Sequence, residues 1–103
     1  MKLNSLNKKT HFDNLRKEEF CKTTNGLKVF VRENNTVSSR LGISISSKHV
    51  NAVNRNKFKR RTREAVRSLP DNKHFDILVV GNKDSSNLKP AEILKILKSH
   101  PLL

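Results

Sequence analysis

Residues 51–67, NAVNRNKFKRRTREAVR, set seven basic side chains against one acid, Glu64. At the helical advance of about 100° per residue, one stripe of apolar residues and a threonine recurs along this stretch. Its members are Phe58, Thr62, Ala65, Val66 and Leu69. The pattern predicts an amphipathic helix whose stripe packs on a core. Pro70 suits a chain that is leaving a helix, because proline is poorly tolerated in a helix interior.

The polar residues of this helix lie on roughly the opposite side from the stripe. Asn56, Lys59, Arg60, Arg63 and Arg67 recur at nearly the same spacing, offset by about two residues. A charged run is usually a solvated surface, but such surfaces normally mix signs, whereas this helix repels itself. A polyanion would remove the repulsion, and arginine can bind phosphate bidentately. The pattern therefore favours a surface that binds nucleic acid.

The composition of the whole chain points to the same class of partner. The formal net charge is +13 over 103 residues, and the isoelectric point is near 10.5. This length predicts a single domain, 1–103, with a lean core because only 34% of residues are hydrophobic. The N-terminus, MKLNSLNKKTHF, lacks the apolar segment of a signal peptide, so we expect a cytoplasmic protein without membrane contact. The lone Cys21 excludes an intramolecular disulfide.

The hydrophobic period changes along the chain and predicts the order αββαβα. Thr10 fits the N-cap of a short first helix that ends near Glu18. Strands are expected at 27–33, at 41–46 and at 75–80, with a polar turn at 34–39 between the first two. A last helix is expected to begin at Pro90. The third strand, FDILVV, is apolar almost throughout, which is typical of a central strand. The expected fold is a small α+β two-layer sandwich, ribosomal-protein-like, with the basic helix in a βαβ crossover.

The strands also predict two different faces of the sheet. In 27–33 three aliphatic residues alternate toward the core, which turns Phe30 to the other face. In 41–46 three large aliphatic residues alternate with a glycine and two serines, Ser44 and Ser46. This face of small residues leaves room for a ligand.

A dense group of residues lies in the basic helix and just before it: Lys48, Asn51, Ala52, Val53, Arg55, Asn56, Lys59, Arg60, Arg63 and Glu64. This group resembles the signature of the bacterial ribonuclease P protein subunit family. The element order and the short length agree with that family over nearly the whole chain. Arg16 stands where the family often has a second aromatic, and Val50 replaces a common glycine, which suggests a different backbone path into the helix.

The resemblance implies that the chain is a single RNA-binding domain, 1–103, with an accessory role in tRNA processing. In that family a large RNA uses Mg²⁺ to hydrolyse a phosphodiester bond of precursor tRNA, releasing the 5′ leader. The implied partners are ribonuclease P RNA and precursor tRNA, with Mg²⁺ held mainly by the RNA and no catalytic or metal-binding residue in the protein. The implied RNA-subunit-binding residues are Lys48, Asn51, Arg55, Asn56, Lys59, Arg60, Arg63 and Arg67. The basic helix is implied to lie in a left-handed crossover between parallel strands.

The resemblance also implies a cleft between the first helix and the sheet that receives the single-stranded leader. Its implied lining is Phe12, Phe30, Ser44 and Ser46. Aromatic rings beside a basic groove hold single strands by stacking bases, at about 1–3 kcal/mol per base. By its position alone, Phe12 would be a core residue of the first helix, whereas Phe30 is out of phase with the core face of its strand. The serine hydroxyls suit contacts to the RNA backbone and 2′-OH groups.

Three other functional classes fit parts of the pattern. A basic ribosomal protein shares the charge and the size without any processing role, but it needs no open cleft beside an aromatic such as Phe30. A DNA-binding domain could place the helix in a major groove, yet no partner helix and short turn precede it. An unaided nuclease would need paired histidines or clustered carboxylates. The histidines are scattered through expected surface positions: His11, His49, His74 and His100.

Overall fold

The computed structural model of the chain describes residues 3–5, 21–24, 26–34, 38–46, 48, 50–70, 73–100 and 103. Within these residues lie five strands and two helices. In chain order they are β1 (Leu3–Ser5), β2 (Cys21–Thr24), β3 (Leu27–Glu33), β4 (Ser39–Ile45), α1 (Ala52–Arg67), β5 (Phe75–Gly81) and α2 (Pro90–Lys98). The helix expected from Thr10 to about Glu18, including Phe12, lies outside the described residues.

The five strands join in one sheet, in the order β1-β4-β5-β3-β2. β4 and β5 pair in parallel, and α1 connects them, which confirms the predicted βαβ crossover. β3 pairs antiparallel with the other side of β5 and with β2, while β1 runs parallel to β4. β5 is therefore the central strand, as its continuous apolar run predicts.

The α+β two-layer class is confirmed, but β1 and β2 were not predicted. Both are short edge strands, of three and four residues, and their sequences LNS and CKTT lack alternating large apolar residues. They join the sheet by backbone pairing with β4 and β3. Ser39, expected in the turn, begins β4, and its Oγ accepts a hydrogen bond from the backbone nitrogen of Phe75 at 3.0 Å.

One face of the sheet packs on both helices and forms the core. The strand residues of β3 and β5 that point into it are Leu27, Val29, Val31, Phe75, Ile77 and Val79. The helix residues buried against them are Phe58, Thr62, Ala65, Val66 and Leu69 near or in α1, and Ile93, Ile96 and Leu97 in α2. The predicted stripe of α1 is thus confirmed. Each fully buried large aliphatic or aromatic side chain contributes about 1.5–3 kcal/mol, which anchors α1 to the sheet.

The opposite face of the sheet, here called the second sheet face, carries three rows of side chains. The register across β4, β5 and β3 gives the rows Arg40, Asp76, Arg32, then Gly42, Leu78, Phe30, then Ser44, Val80, Lys28. Phe30 lies on this face as predicted. Its ring is half-buried, and Phe30 and Val80 both pack against the fully buried Leu78. The middle row is therefore apolar, and the two outer rows carry cations.

Candidate nucleic-acid interface

The first residue of the predicted interface, Asn51, is the N-cap of α1. Its Oδ1 accepts a hydrogen bond from the backbone nitrogen of Asn54 at 2.8 Å, and its carbonyl oxygen accepts one from Arg55 at 2.9 Å. Capping satisfies backbone N–H groups that a helix start otherwise leaves without partners. The exposed Asn51 side chain keeps its Nδ2 donors outside the cap, so it combines a structural role with a surface amide.

The predicted RNA-binding residues of α1 lie on its solvent side. Asn56, Arg60, Arg63 and Arg67 are exposed, and Arg55 and Lys59 are half-buried. Lys48, which precedes the helix, is exposed as well. Among the described residues, Val53 in the first turn of α1 is a large apolar residue that is exposed, at 62%. The helix is therefore divided into a buried stripe and a cationic surface, as its sequence predicts.

Three arginines of α1 border one shallow groove of about 470 Å³. Arg60, Arg63 and Arg67 line it together with Glu64 and Ser68. They follow one another at three- and four-residue spacing, so they are neighbours on the helix surface. With Glu64 as the single acid, the groove carries two net positive charges, and Arg67 lies at the negative end of the helix dipole. Such a groove matches the charge of a phosphate backbone.

A second groove, of about 400 Å³, joins the start of α1 to the loop after β5. Its lining is Val50, Asn51, Asn54, Lys83, Asp84, Ser86 and Asn87. Because β4 and β5 are parallel, their carboxyl ends meet at one edge of the sheet, and the residues that follow them meet there too. The sequence pattern did not predict that the exposed Lys83 lies beside the start of α1. The expected βαβ crossover is the signal that could have indicated it, because it brings the ends of the two parallel strands together. Val50, in the place of the common glycine, is buried.

The second sheet face carries two of the residues implied for the leader cleft. Phe30 and Ser44 are half-buried in adjacent rows, on the strands that flank β5. Ser46 lies exposed just past the end of β4, and its Oγ accepts a hydrogen bond from the backbone nitrogen of Lys48 at 3.2 Å. The fourth residue, Phe12, is outside the described residues.

A buried carboxylate on the same face was not foreseen. Asp76 is fully buried, and its Oδ1 accepts hydrogen bonds from Arg40 Nε at 2.7 Å and Asn34 Nδ2 at 2.8 Å. Its Oδ2 accepts from Arg40 Nη2 at 2.6 Å and from Arg32 Nη2 at 3.2 Å. The signal in the sequence is the lone acid within FDILVV, which strand alternation places on the face opposite to the core.

The carboxyl group of Asp76 remains ionised because its donors outweigh its burial. Burial alone would raise its pKa, but the hydrogen bonds from Arg40, Asn34 and Arg32 hold the pKa below its ordinary value. The same contact raises the pKa of Arg40, chiefly through the hydrogen bond to Asp76. The cluster therefore contains two cations and one anion at neutral pH.

The histidine prediction was wrong for His100, which is 1% exposed. Just after α2, the His100 nitrogen donates to the Leu97 carbonyl at 3.0 Å, and the His100 carbonyl accepts from the Leu103 nitrogen at 3.1 Å. These backbone bonds hold His100 at the end of α2, where its side chain is buried. Among the residues that the structure describes, no three His, Cys, Asp or Glu side chains converge on a possible metal position. Neither α1 nor α2, the helices of the described segments, is long and apolar enough to cross a bilayer.

Comparison with known proteins places this fold and its cationic helix in one family. The profile of the family described as Ribonuclease P matches residues 1–101. The chain belongs to the ribonuclease P protein family. A relative from Pseudoalteromonas atlantica, named ribonuclease P protein component, is 34% identical over 93 residues, which cover 85% of this chain and 75% of that protein.

Two solved ribonuclease P proteins share the fold. The Staphylococcus aureus protein superposes with a TM-score of 0.72 at 28% identity, covering 91% of this chain and 88% of that chain. The Thermotoga maritima protein gives a TM-score of 0.67 at 32% identity, covering 84% of each chain. As a member of the ribonuclease P family, the chain is the protein component of an endoribonuclease, and RNA is the partner that this membership implies.

Proposed function

We propose that this chain is the accessory subunit of ribonuclease P, an endonuclease that removes the 5′ leader from precursor tRNA. In this proposal α1 binds the RNA subunit, and the second sheet face receives the leader. The observation that carries it is the division of α1: Phe58, Thr62 and Val66 are fully buried, while Arg60, Arg63 and Arg67 border a groove on the solvent side. The ribosomal-protein and DNA-binding alternatives receive no support from the family membership.

The affinity of α1 for the RNA subunit would come mainly from phosphate contacts. Each Lys or Arg that neutralises a phosphate releases bound counterions, so binding weakens as salt rises. If about six contacts form along Lys48, Arg55, Lys59 and the groove arginines, the slope of log K against log salt is roughly −4 to −5. The exposed amides of Asn51 and Asn56 add hydrogen bonds to backbone or base atoms.

The second sheet face suits a single strand because it combines an aromatic ring with flanking cations. Phe30 lies between Lys28 and Arg32 on β3, all three on one face by strand alternation. One base of the leader would stack on Phe30, and cations on both sides would attract the backbone. Ser44, on the other side of β5, is a hydroxyl within the same surface and suits a 2′-OH contact. Ser46 and Phe12 complete the proposed lining.

The hydrolysis itself is assigned to the RNA subunit, with Mg²⁺ held mainly by RNA. The carboxylate on the second sheet face, Asp76, accepts four hydrogen bonds from three side chains, so both its oxygens are already engaged. It is therefore unsuited to act as a general base or as a metal ligand. A cytoplasmic location, together with the RNA subunit and precursor tRNA, is part of the proposal.

Reconstitution tests the accessory role directly. The purified protein is added to a ribonuclease P RNA at low Mg²⁺ concentration, and 5′ cleavage of a precursor tRNA is measured, with RNA alone and protein alone as controls. We expect stimulation that requires both components. Tight binding to many RNAs without stimulation would indicate a structural RNA-binding protein instead.

A second experiment tests the leader surface through Phe30. Phe30→Leu keeps an apolar side chain against Leu78 but removes the π face, whereas Phe30→Tyr keeps the π face. We expect Phe30→Leu to weaken binding of leader-bearing precursor by about 1–3 kcal/mol, with little change for mature tRNA. Phe30→Tyr should bind both RNAs as the natural protein does. Equal losses on both RNAs would remove the leader assignment.

A further inference from the structure

The charge of the Arg32–Asp76–Arg40 row is not balanced. Arg40 makes two short hydrogen bonds to Asp76, 2.7 and 2.6 Å, and neutralises its charge. Arg32 adds a second cation through one longer contact of 3.2 Å from Nη2, so its Nε and Nη1 donors are not used on this carboxylate. The side chains of Arg32 and Arg40 are 36% and 26% exposed, while that of Asp76 is fully buried. The surplus positive charge therefore faces solvent on the second sheet face.

We propose that Arg32 and Arg40, oriented by Asp76, form a subsite for one backbone phosphate of the single-stranded RNA that crosses Phe30. The proposal rests on the leader-binding function proposed above for this face. Guanidinium groups bind phosphate through paired N–H donors, which gives direction as well as charge. In this subsite Asp76 is a positioning residue, and the two arginines contact the phosphate.

Prior ordering is what distinguishes this pair from an ordinary surface charge. An arginine in solvent loses side-chain freedom when it binds, and that loss weakens the complex. Arg40 is already fixed by its bidentate contact, and Asp76 itself is held by Asn34 and by its place on the central strand. Arg32 approaches the same carboxylate from the other neighbouring strand, β3. Two guanidinium groups from two strands are thus set around one buried anion before RNA arrives.

The position of the pair relative to Phe30 fits one continuous RNA strand. Arg32 lies two residues from Phe30 along β3 on the same face, a rise of about 6.7 Å. Lys28 lies two residues away in the other direction. A base stacked on Phe30 therefore has two arginines around one buried carboxylate on one side and a single exposed lysine on the other. This asymmetry predicts that one phosphate of the leader is recognised more sharply than its neighbours.

A purely structural role for the cluster accounts for Arg40 but not for Arg32. Arg40 and Asn34 already supply three hydrogen bonds to the carboxylate, and Arg40 connects β4 to β5. The contact of Arg32 is long and its side chain is over a third exposed, so it adds little to stability. Its position beside Phe30 is explained by an anionic ligand on this face.

The test uses holoenzyme reconstituted from the full chain and a ribonuclease P RNA. Precursor tRNAs carry either a natural leader or a leader with one neutral methylphosphonate linkage, moved one position at a time. We expect Arg32→Gln to weaken natural precursor roughly tenfold and to make the salt slope shallower by about 1, with mature tRNA unchanged. At one leader position, the neutral linkage should abolish the difference between Arg32→Gln and the natural protein.

Lys28→Gln is the matched control, because it removes a cation from the same strand and face. It should show no such coupling: its difference from the natural protein should be the same with the neutral linkage at that position as with the natural phosphate. Arg32→Gln losses that are equal at every linkage, or equal on mature tRNA, would overturn the phosphate subsite. If Phe30→Leu selectively weakens leader binding and Arg32→Gln does not, the subsite fails while the leader face stands. If neither variant is leader-selective, the proposed function of the face fails as well.

The positioning role of Asp76 has its own readout. Asp76→Asn, checked for folding by its thermal melt, should lose the coupling at the same linkage although both arginines remain. Asp76→Glu, which keeps the charge on a longer side chain, serves where the asparagine variant does not fold. Full coupling in a folded Asp76 variant would show that the arginines do not need the carboxylate.

Discussion

The ring of Phe58 lies directly on the backbone of Gly81, where α1 crosses the end of β5. A Cβ atom at Gly81 would meet Cζ of Phe58 at 2.6 Å and Cε2 at 2.8 Å, closer than such atoms approach. Phe58 is fully buried, so the ring has no route to solvent. The absence of a side chain at Gly81 therefore lets the Phe58 ring of α1 approach the end of β5 this closely.

Gly81→Ala is expected to lower the free energy of unfolding by about 1–3 kcal/mol, because the added methyl overpacks the core. Urea unfolding measures the loss. The double variant with Phe58→Leu tests the mechanism, since a smaller side chain at position 58 leaves room for the methyl. Its loss should be smaller than the sum of the two single losses. Additive losses would mean that the ring and the methyl do not meet.

Asp76→Asn is expected to destabilise the fold by about 2–4 kcal/mol at pH 7, since two guanidinium groups then lose their anion. The folded pKa of Asp76 is depressed, so its contribution is present above the unfolded pKa and is lost as the pH falls below about 4. Unfolding free energies at pH 7 and pH 3 should therefore differ less for Asp76→Asn than for the natural protein. Asp84→Asn, at an exposed acid, is the matched control and should behave as the natural protein does.

Asn51 allows its capping role to be separated from its proposed RNA contact. Asn51→Ala removes the hydrogen bond to the Asn54 nitrogen and should cost about 1 kcal/mol of unfolding free energy. Asn51→Ser keeps a capping oxygen, so its stability should stay near that of the natural protein, while its affinity for the RNA subunit falls with the loss of the amide donors. If Asn51→Ser binds the RNA subunit as tightly as the natural protein does, Asn51 acts only as the N-cap of α1.

The arginine groove is tested by the salt dependence of binding to ribonuclease P RNA. Replacing both Arg60 and Arg63 with Gln should weaken binding and make the slope of log K against log salt shallower by about 2, because two phosphate contacts are lost. Their side chains leave the core, so the melting temperature should change little. Replacing Lys95 and Lys98, two exposed cations of α2, with Gln removes the same charge elsewhere and should leave the slope unchanged. Equal effects from both pairs would indicate attraction by overall charge.

The helices and long strands could be predicted because their signals are local. The stripe from Phe58 to Leu69 and the alternation in β3 each repeat within a few residues, and both are confirmed by burial. The two-sided character of α1 followed from the same periodicity. The face of Phe30 could also be predicted, because a side chain out of phase with its strand's core face has only one other side to occupy.

Features that depend on distant residues could not be predicted in this way. Asp76 accepts hydrogen bonds from Arg40 and Arg32, which are 36 and 44 positions away in the sequence. No residue within the run FDILVV indicates those partners. Lys83 reaches the groove beside Asn51 only because two parallel strands end at the same edge. The edge strands β1 and β2 carry too few large apolar side chains to produce an alternation.

By itself the amino-acid sequence determined which apolar residues of β3 and α1 are buried, which helix carries the cations, and which family the chain resembles. Those properties follow from periodicity and composition, which act between neighbouring residues. Only the tertiary structure decided the strand order β1-β4-β5-β3-β2 and the register that sets Arg40, Asp76 and Arg32 in one row beside Phe30. The physical reason is that strand pairing uses backbone hydrogen bonds common to all residues, so the partners are chosen by the packing of the whole chain.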